Sequence, residues 1–161
     1  MLKEKFVWVL LSIFLFSWMP IKTNTSTSYK CMVQLTNYKG EGAYMVISLI
    51  DQDGEYEKTL YVMGKDEEWY PDLTNWWHFF DNNRTDIDGM SGATISGGER
   101  TVCVIELDSD KIDAGYKLRF ETAVEDQKYF VDDVEVPLTA ETVKGKFDGK
   151  GYIRYIRMIP N

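Results

Sequence analysis

Between residues 116 and 125 the chain alternates almost without a break: Tyr116, Leu118, Phe120, Thr122 and Val124 occupy one parity, Lys117, Arg119, Glu121 and Glu125 the other. Only a strand sends successive side chains to opposite faces, so this stretch reads as a strand with one apolar and one polar face. The same period recurs in 29–36, 43–50, 56–63, 100–107, 129–136 and 152–159, with Gly, Asp and Asn at the breaks. Asp51-Gln52-Asp53-Gly54 carries the Asp-Gly signal of a hairpin turn, and Asp113-Ala114-Gly115 joins 100–107 to 116–125. Seven short strands with one-sided alternation predict an all-β fold, an antiparallel immunoglobulin-like β-sandwich.

One segment departs from period two. Pro71 and Asp72 are helix-start signals, and Leu73, Trp76, Trp77 and Phe80 follow at helical spacing. A short helix is therefore expected here, leading into the loop at 81–99. The dense rings of Trp69, Tyr70, Trp76, Trp77, Phe79 and Phe80 are expected to plug an open end of the sandwich. The alternative is that one or two of them, Trp76 and Trp77 foremost, stack on a ligand ring or line a docking surface.

The amino terminus sets the compartment. Lys3 and Lys5 precede an apolar run over 6–19, followed by Pro20 and a polar stretch, the layout of a secretory signal peptide over 1–25. The run is short for a membrane span of about 20 residues. The remainder, 26–161, is expected to be a single domain. Losing Lys3, Lys5, Lys22 and Glu4 with residues 1–25 takes the net charge from −8 to −10. That acidity argues against nucleic acid or an anionic membrane surface as a partner.

Cys31 alternates with Tyr29, Val33 and Leu35, and Cys103 with Ile105 and Leu107, so both thiols are expected in the core. Inward direction alone does not bring two sulfurs into bonding reach, and two buried free thiols are favoured over a bridge. With His78 the single histidine and no clustered cysteines, no metal site is expected, and the oxygen-rich run 81–89 fails the EF-hand pattern at Arg84 and Ile95.

The segment Asp88-Gly89-Met90-Ser91-Gly92-Ala93-Thr94 carries the functional signal. Its pattern of Asp, two free positions, Ser, Gly, Ala and Thr resembles the site at which FMN is attached in the flavin-carrying subunits of sodium-pumping quinone reductases and Rnf-type complexes. Five such positions match by chance in about one sequence in a thousand of this length. The resemblance makes Thr94 the acceptor of FMN through a phosphoester, with Asp88, Ser91, Gly92 and Ala93 as recognition elements. A threonine hydroxyl is a weak nucleophile that an external base must activate, so no catalytic residue is expected in this chain and a flavin transferase is the implied partner. Gly92 and Ala93 would let that enzyme approach the backbone. Asp88 would either orient the loop by an Asx-type hydrogen bond or present its carboxylate to the transferase's cation. The competing reading is a glycine-rich connection between strands.

Together, the Asp51 to Gly54 hairpin, the Leu73, Trp76 and Trp77 helix, the motif ending in Thr94 and the strand pair that follows resemble a bacterial periplasmic family, domain of unknown function 2271, over about residues 30 to 135. That resemblance implies a flavinylated extracytoplasmic electron carrier working beside a PepSY-type membrane redox protein. The alternative function is an immunoglobulin-like binding module that uses its Trp-rich surface for a glycan or protein partner.

Overall fold

The computed structural model describes residues 25–161; the expected signal peptide falls almost wholly outside them. Among the described residues nine strands form two sheets. One is ordered β5 (Arg100–Asp108), β1 (Ser26–Leu35), β9 (Ile153–Pro160), β8 (Lys146–Asp148), and the other β4 (Ser91–Gly92), β3 (Tyr56–Met63), β2 (Tyr44–Ile50), β6 (Lys117–Ala123), β7 (Phe130–Pro137). The all-β sandwich follows the alternation, with two short strands, β4 and β8, added to the expected seven. All pairings are antiparallel except that of β3 with β4.

The hairpin between β2 and β3 closes through Asp51, whose carboxylate accepts the backbone N–H of Asp53 and of Glu55, both at 2.9 Å. Gly54 sits at φ +92°, a conformation that side-chain-bearing residues rarely adopt. The Asp113 to Gly115 connection carries the chain from β5 in one sheet to β6 in the other.

Between the sheets lies the main core, built from the inward parity of each strand. Leu35, Cys31, Cys103 and Ile105 come from one sheet, and Met45, Ile47, Leu118 and Phe120 from the other. Cys31 and Cys103 are register partners in β1 and β5 and both thiols are free, as expected. Thr25 accepts from Ser109 and Leu35 donates to Glu99. By register these bonds make Cys31 and Cys103 a hydrogen-bonded pair, the wider of the two antiparallel spacings.

The five-stranded sheet is covered on its other face as well, which the one-sided alternation does not anticipate. A 3-10 turn (Glu67–Asp72) and helix α1 (Thr74–Asn82) lie across it. Tyr70, Leu73, Trp76 and Phe80 are buried against Val46, Val62 and Ala123, so the aromatics form a third layer on a sheet face and not a plug at one end. Pro71 lies inside the 3-10 turn and Leu73 caps the helix without a side-chain bond, so the helix starts later than its start signals suggest.

That layer buries the later part of the polar parity of β6, at Glu121 and Ala123. Glu121 is completely buried and accepts a hydrogen bond from the Tyr56 hydroxyl at 2.5 Å and another from the Tyr129 hydroxyl. Tyr129 in turn accepts the backbone N–H of Asn75 in the first turn of α1, at 3.2 Å. Trp76 donates its indole N–H to Thr59 Oγ1 at 2.9 Å. These bonds satisfy groups that would otherwise be stranded beneath the helix, and they fix the helix on the sheet.

Candidate functional site

After α1 the chain returns to the sheet edge in a series of short, pinned steps. Asp86 Oδ1 accepts the Asp88 N–H at 3.0 Å, and Ile87 is buried in the helix-side cluster. Asp88, Gly89 and Met90 make one 3-10 turn in which the Met90 N–H reaches the Ile87 carbonyl at 2.9 Å. Ser91 and Gly92 then run parallel to Val62 and Met63 of β3, and the Gly92 carbonyl accepts the Gly64 N–H at 2.8 Å. Two residues on, Ile95 bridges to Ala43, its carbonyl accepting the Ala43 N–H at 2.8 Å and the Tyr38 hydroxyl at 3.0 Å. Ala93 and Thr94 are the step between these two anchors.

Thr94 is half-buried, and among the described residues its hydroxyl makes no hydrogen bond. It lies over the α-carbon of Gly42, where an added Cβ would stand 2.5 Å from the Thr94 oxygen. A side chain at 42 would therefore displace the hydroxyl. Ala93 beside it is exposed.

The structure reassigns two roles expected in the motif. Gly92 does not leave open space, because a Cβ there would come within 2.2 Å of the Tyr61 hydroxyl; the glycine accommodates a neighbour within the fold. The Asx-type bond comes from Asp86, not Asp88. The Asp88 side chain is exposed, which leaves the second role foreseen for it, a carboxylate presented outward.

The tryptophans stand elsewhere. Trp76 is fully buried under α1 and stacked on Phe80 at 4.7 Å, so it has no ring face to offer a ligand. Trp77 is half-buried, with the Arg84 guanidinium 5.3 Å from its ring centre. Tyr61 meets the motif at Gly92, and Tyr38 holds the Ile95 carbonyl just after it. Burial pushes both phenols above their ordinary pKa, so they act as neutral groups. Each reads in the sequence as an ordinary strand or turn tyrosine, and only the fold brings them to the motif.

A family described as "predicted periplasmic protein", domain of unknown function 2271, matches residues 26–155. The chain belongs to this family. No curated protein and no solved structure matches it. Membership in domain of unknown function 2271 agrees with an extracytoplasmic location. The match spans both sheets, α1 and residues 88–94. A cleft of about 220 Å³ adjoins the segment, lined by Met90 of the motif with Thr59, Lys58, Phe79, Asn83 and Thr85. Among the described residues no group of three or more His, Cys, Asp or Glu side chains could hold a metal, and His78 is exposed.

Proposed function

We propose that Thr94 carries FMN through a phosphoester and that the chain is an extracytoplasmic electron carrier. The observation that carries this reading is the uncommitted Thr94 hydroxyl, half-exposed on a two-residue step that is anchored on both sides. An acceptor must be reachable and must not be tied into a structural hydrogen bond. Thr94 meets both conditions, and Gly42 leaves its oxygen in place.

Attachment is a group transfer. The Thr94 Oγ–H bond is replaced by an Oγ–P bond to the FMN phosphoryl, and the proton passes to a base of the flavin transferase. The phosphoanhydride of a flavin dinucleotide donor breaks, and a nucleoside monophosphate leaves. This chain supplies the hydroxyl and its placement; the transferase supplies the base. Asp88, exposed six residues before the acceptor, presents a carboxylate to the transferase's cation. Once attached, the flavin supplies the redox chemistry and the protein supplies position and electrostatics. A PepSY-type membrane redox protein is the proposed electron-transfer partner.

The test is intact mass after export beside an active flavin transferase. The expected result is one added FMN and a yellow protein that keeps its colour through denaturing precipitation. Thr94→Val, which keeps the shape and removes the nucleophile, should abolish both while the domain stays folded; Asp88→Asn and Ser91→Ala should lower the yield. An unmodified wild-type mass, with a control substrate labelled in the same cells, overturns the reading.

A further inference from the structure

Among the described residues each sheet has two edges, and three of the four are guarded. β4 and β8 are two and three residues long. β7 ends in Pro137, pairs with β6 through an irregular register, buries the Asp133 carboxylate, and has its Asp133 carbonyl bonded by the Lys150 N–H at 3.0 Å. Short length, proline, a bulge, an inward charge and a covering segment are the devices that keep a sheet edge from pairing with another chain. β5 has none of them. Its nine residues contain no proline, run against β1 without a register shift and place only Thr101, Cys103, Ile105 and Leu107 on the inward parity. The Thr25–Ser109 and Leu35–Glu99 bonds show that odd-numbered residues of β5 face β1, so the N–H and carbonyl groups of Val102, Val104 and Glu106 point to the open edge. Among the described residues those groups have no partner there. The Val102 and Val104 side chains are also exposed, at 57% and 46%.

The strand is complementary to itself. Set antiparallel to a second β5 about a two-fold axis at Cys103, Val102 opposes Val104 of the second copy and Arg100 opposes its Glu106, each pair occurring twice. All four residues are even-numbered, so the pairs fall where both strands offer free backbone groups, and their side chains share the outer face. The valines meet at the centre, with an Arg–Glu pair at either end. An axis at Val104 would set Val102 against Glu106, and one at Val102 would set Val104 against Arg100, so neither neighbouring register keeps the match. Asp108 lies beyond the paired stretch, and the Cys103 thiol stays buried in its own core. In the single copy the Arg100 guanidinium rests on Gln34 Oε1 at 3.0 Å and on the Tyr155 hydroxyl at 3.1 Å, and Glu106 accepts the Ser26 hydroxyl at 3.0 Å. These bonds are exposed, and turning to the edge exchanges them for a charge-assisted pair.

We propose that β5 pairs antiparallel with β5 of a second copy, joining the two four-stranded sheets into one. Backbone bonds supply the attraction, and the Arg100–Glu106 pairs fix the register. An unrelated extended segment would satisfy the backbone groups equally; the match of valines and of opposite charges is what singles out a second copy. Because the axis is two-fold and uses the open edge of both copies, assembly closes at a dimer and does not propagate into a fibre.

Sedimentation velocity of the exported protein over a concentration series tests the assignment. The wild type should be a reversible dimer. Arg100→Glu sets Glu against Glu and Glu106→Arg sets Arg against Arg, so each variant alone should dimerise more weakly by about tenfold or more. Mixed in equal amounts, the two should recover wild-type association, because every pair between unlike copies is again opposite in charge. Both positions are solvent-exposed, so the fold tolerates the changes. In hydrogen exchange the amides of Val102, Val104 and Glu106 should slow as concentration rises, while those of the odd-numbered residues, already bonded to β1, stay unchanged. A wild type that is monomeric up to about 1 mM, the outcome expected if β5 receives a segment of another protein, would overturn the proposal. So would single variants that dimerise like the wild type, a mixture no more dimeric than its components, or concentration-dependent protection that falls on α1 instead.

Discussion

The Cys103 thiol lies 3.6 Å from the backbone carbonyl of Cys31, its register partner across β1 and β5. Hydrogen-bonded antiparallel pairs hold their α-carbons about 5.5 Å apart, and their β-carbons are correspondingly farther apart than the ~3.5–4.5 Å a relaxed disulfide needs. The hydrogen bond with the neighbouring Cys103 and, after it, burial hold the Cys31 thiol well above its ordinary pKa, so the reactive thiolate is scarce. Protein recovered from an oxidising compartment should therefore carry two free thiols. Alkylation under denaturing conditions, read by mass, should add two labels; a product two mass units light that takes none would contradict this.

The two adjacent tryptophans should differ sharply. Trp76 is fully buried and bonded to Thr59, so Trp76→Ala should cost about 3–5 kcal/mol, as should Phe120→Ala in the main core. Trp77 is half-exposed, and Trp77→Ala should cost clearly less. Urea unfolding midpoints decide it, and equal losses at 76 and 77 would refute the layered arrangement.

The contrast also marks what the sequence makes legible. Leu73, Trp76 and Phe80 announce a helix by their spacing, and the inward parity of β6 announces a core strand. Nothing local says which surface that helix covers, because a strand covered on one face reads the same whatever lies on the other. Glu121 consequently reads as a solvent-facing residue, and its partners Tyr56 and Tyr129 come from β3 and from just before β7. In the motif, Thr94 is visible by pattern alone. The role of Gly92 is not, because Tyr61 lies 31 positions away and reaches it only through the β3–β4 pairing, which is too short to show a period.

Gly92→Ala should destabilise the domain by about 1–3 kcal/mol through its clash with the Tyr61 hydroxyl. Removing that oxygen should restore most of the loss, so the Gly92→Ala, Tyr61→Phe double variant should melt above the single Gly92→Ala variant. A double variant no more stable than the single one would mean that the glycine is needed for another reason.

Glu121 should make stability fall as pH rises. Burial is the largest influence on its carboxyl and raises its pKa, against the opposing effect of the Tyr129 and Tyr56 hydroxyls and Arg119. A carboxyl whose folded pKa exceeds the unfolded value of about 4.3 contributes stability at low pH that is lost as pH climbs through the folded pKa. Asp132 and Glu135, whose pKa values are lowered by Lys150 and by Arg119 with Lys117, act in the opposite sense, losing stability as pH falls. Glu121→Gln isolates the effect: its unfolding free energy, minus that of the wild type, should rise between pH 4 and pH 7. A difference that stays flat across that range would show that Glu121 does not titrate abnormally.

The anchors on either side of Thr94 also set an order of events. Val62 and Met63, Gly64 and Ala43 come from strands and turns some 30 to 50 positions upstream, so the short raised step they define does not exist in an unfolded chain. If a transferase reads that step, it reads a finished domain and not a linear tag. Maturation would then run in one direction: translocation, folding, and only afterwards flavin loading, with a free peptide spanning 86–98 left unlabelled by an enzyme that loads the folded protein.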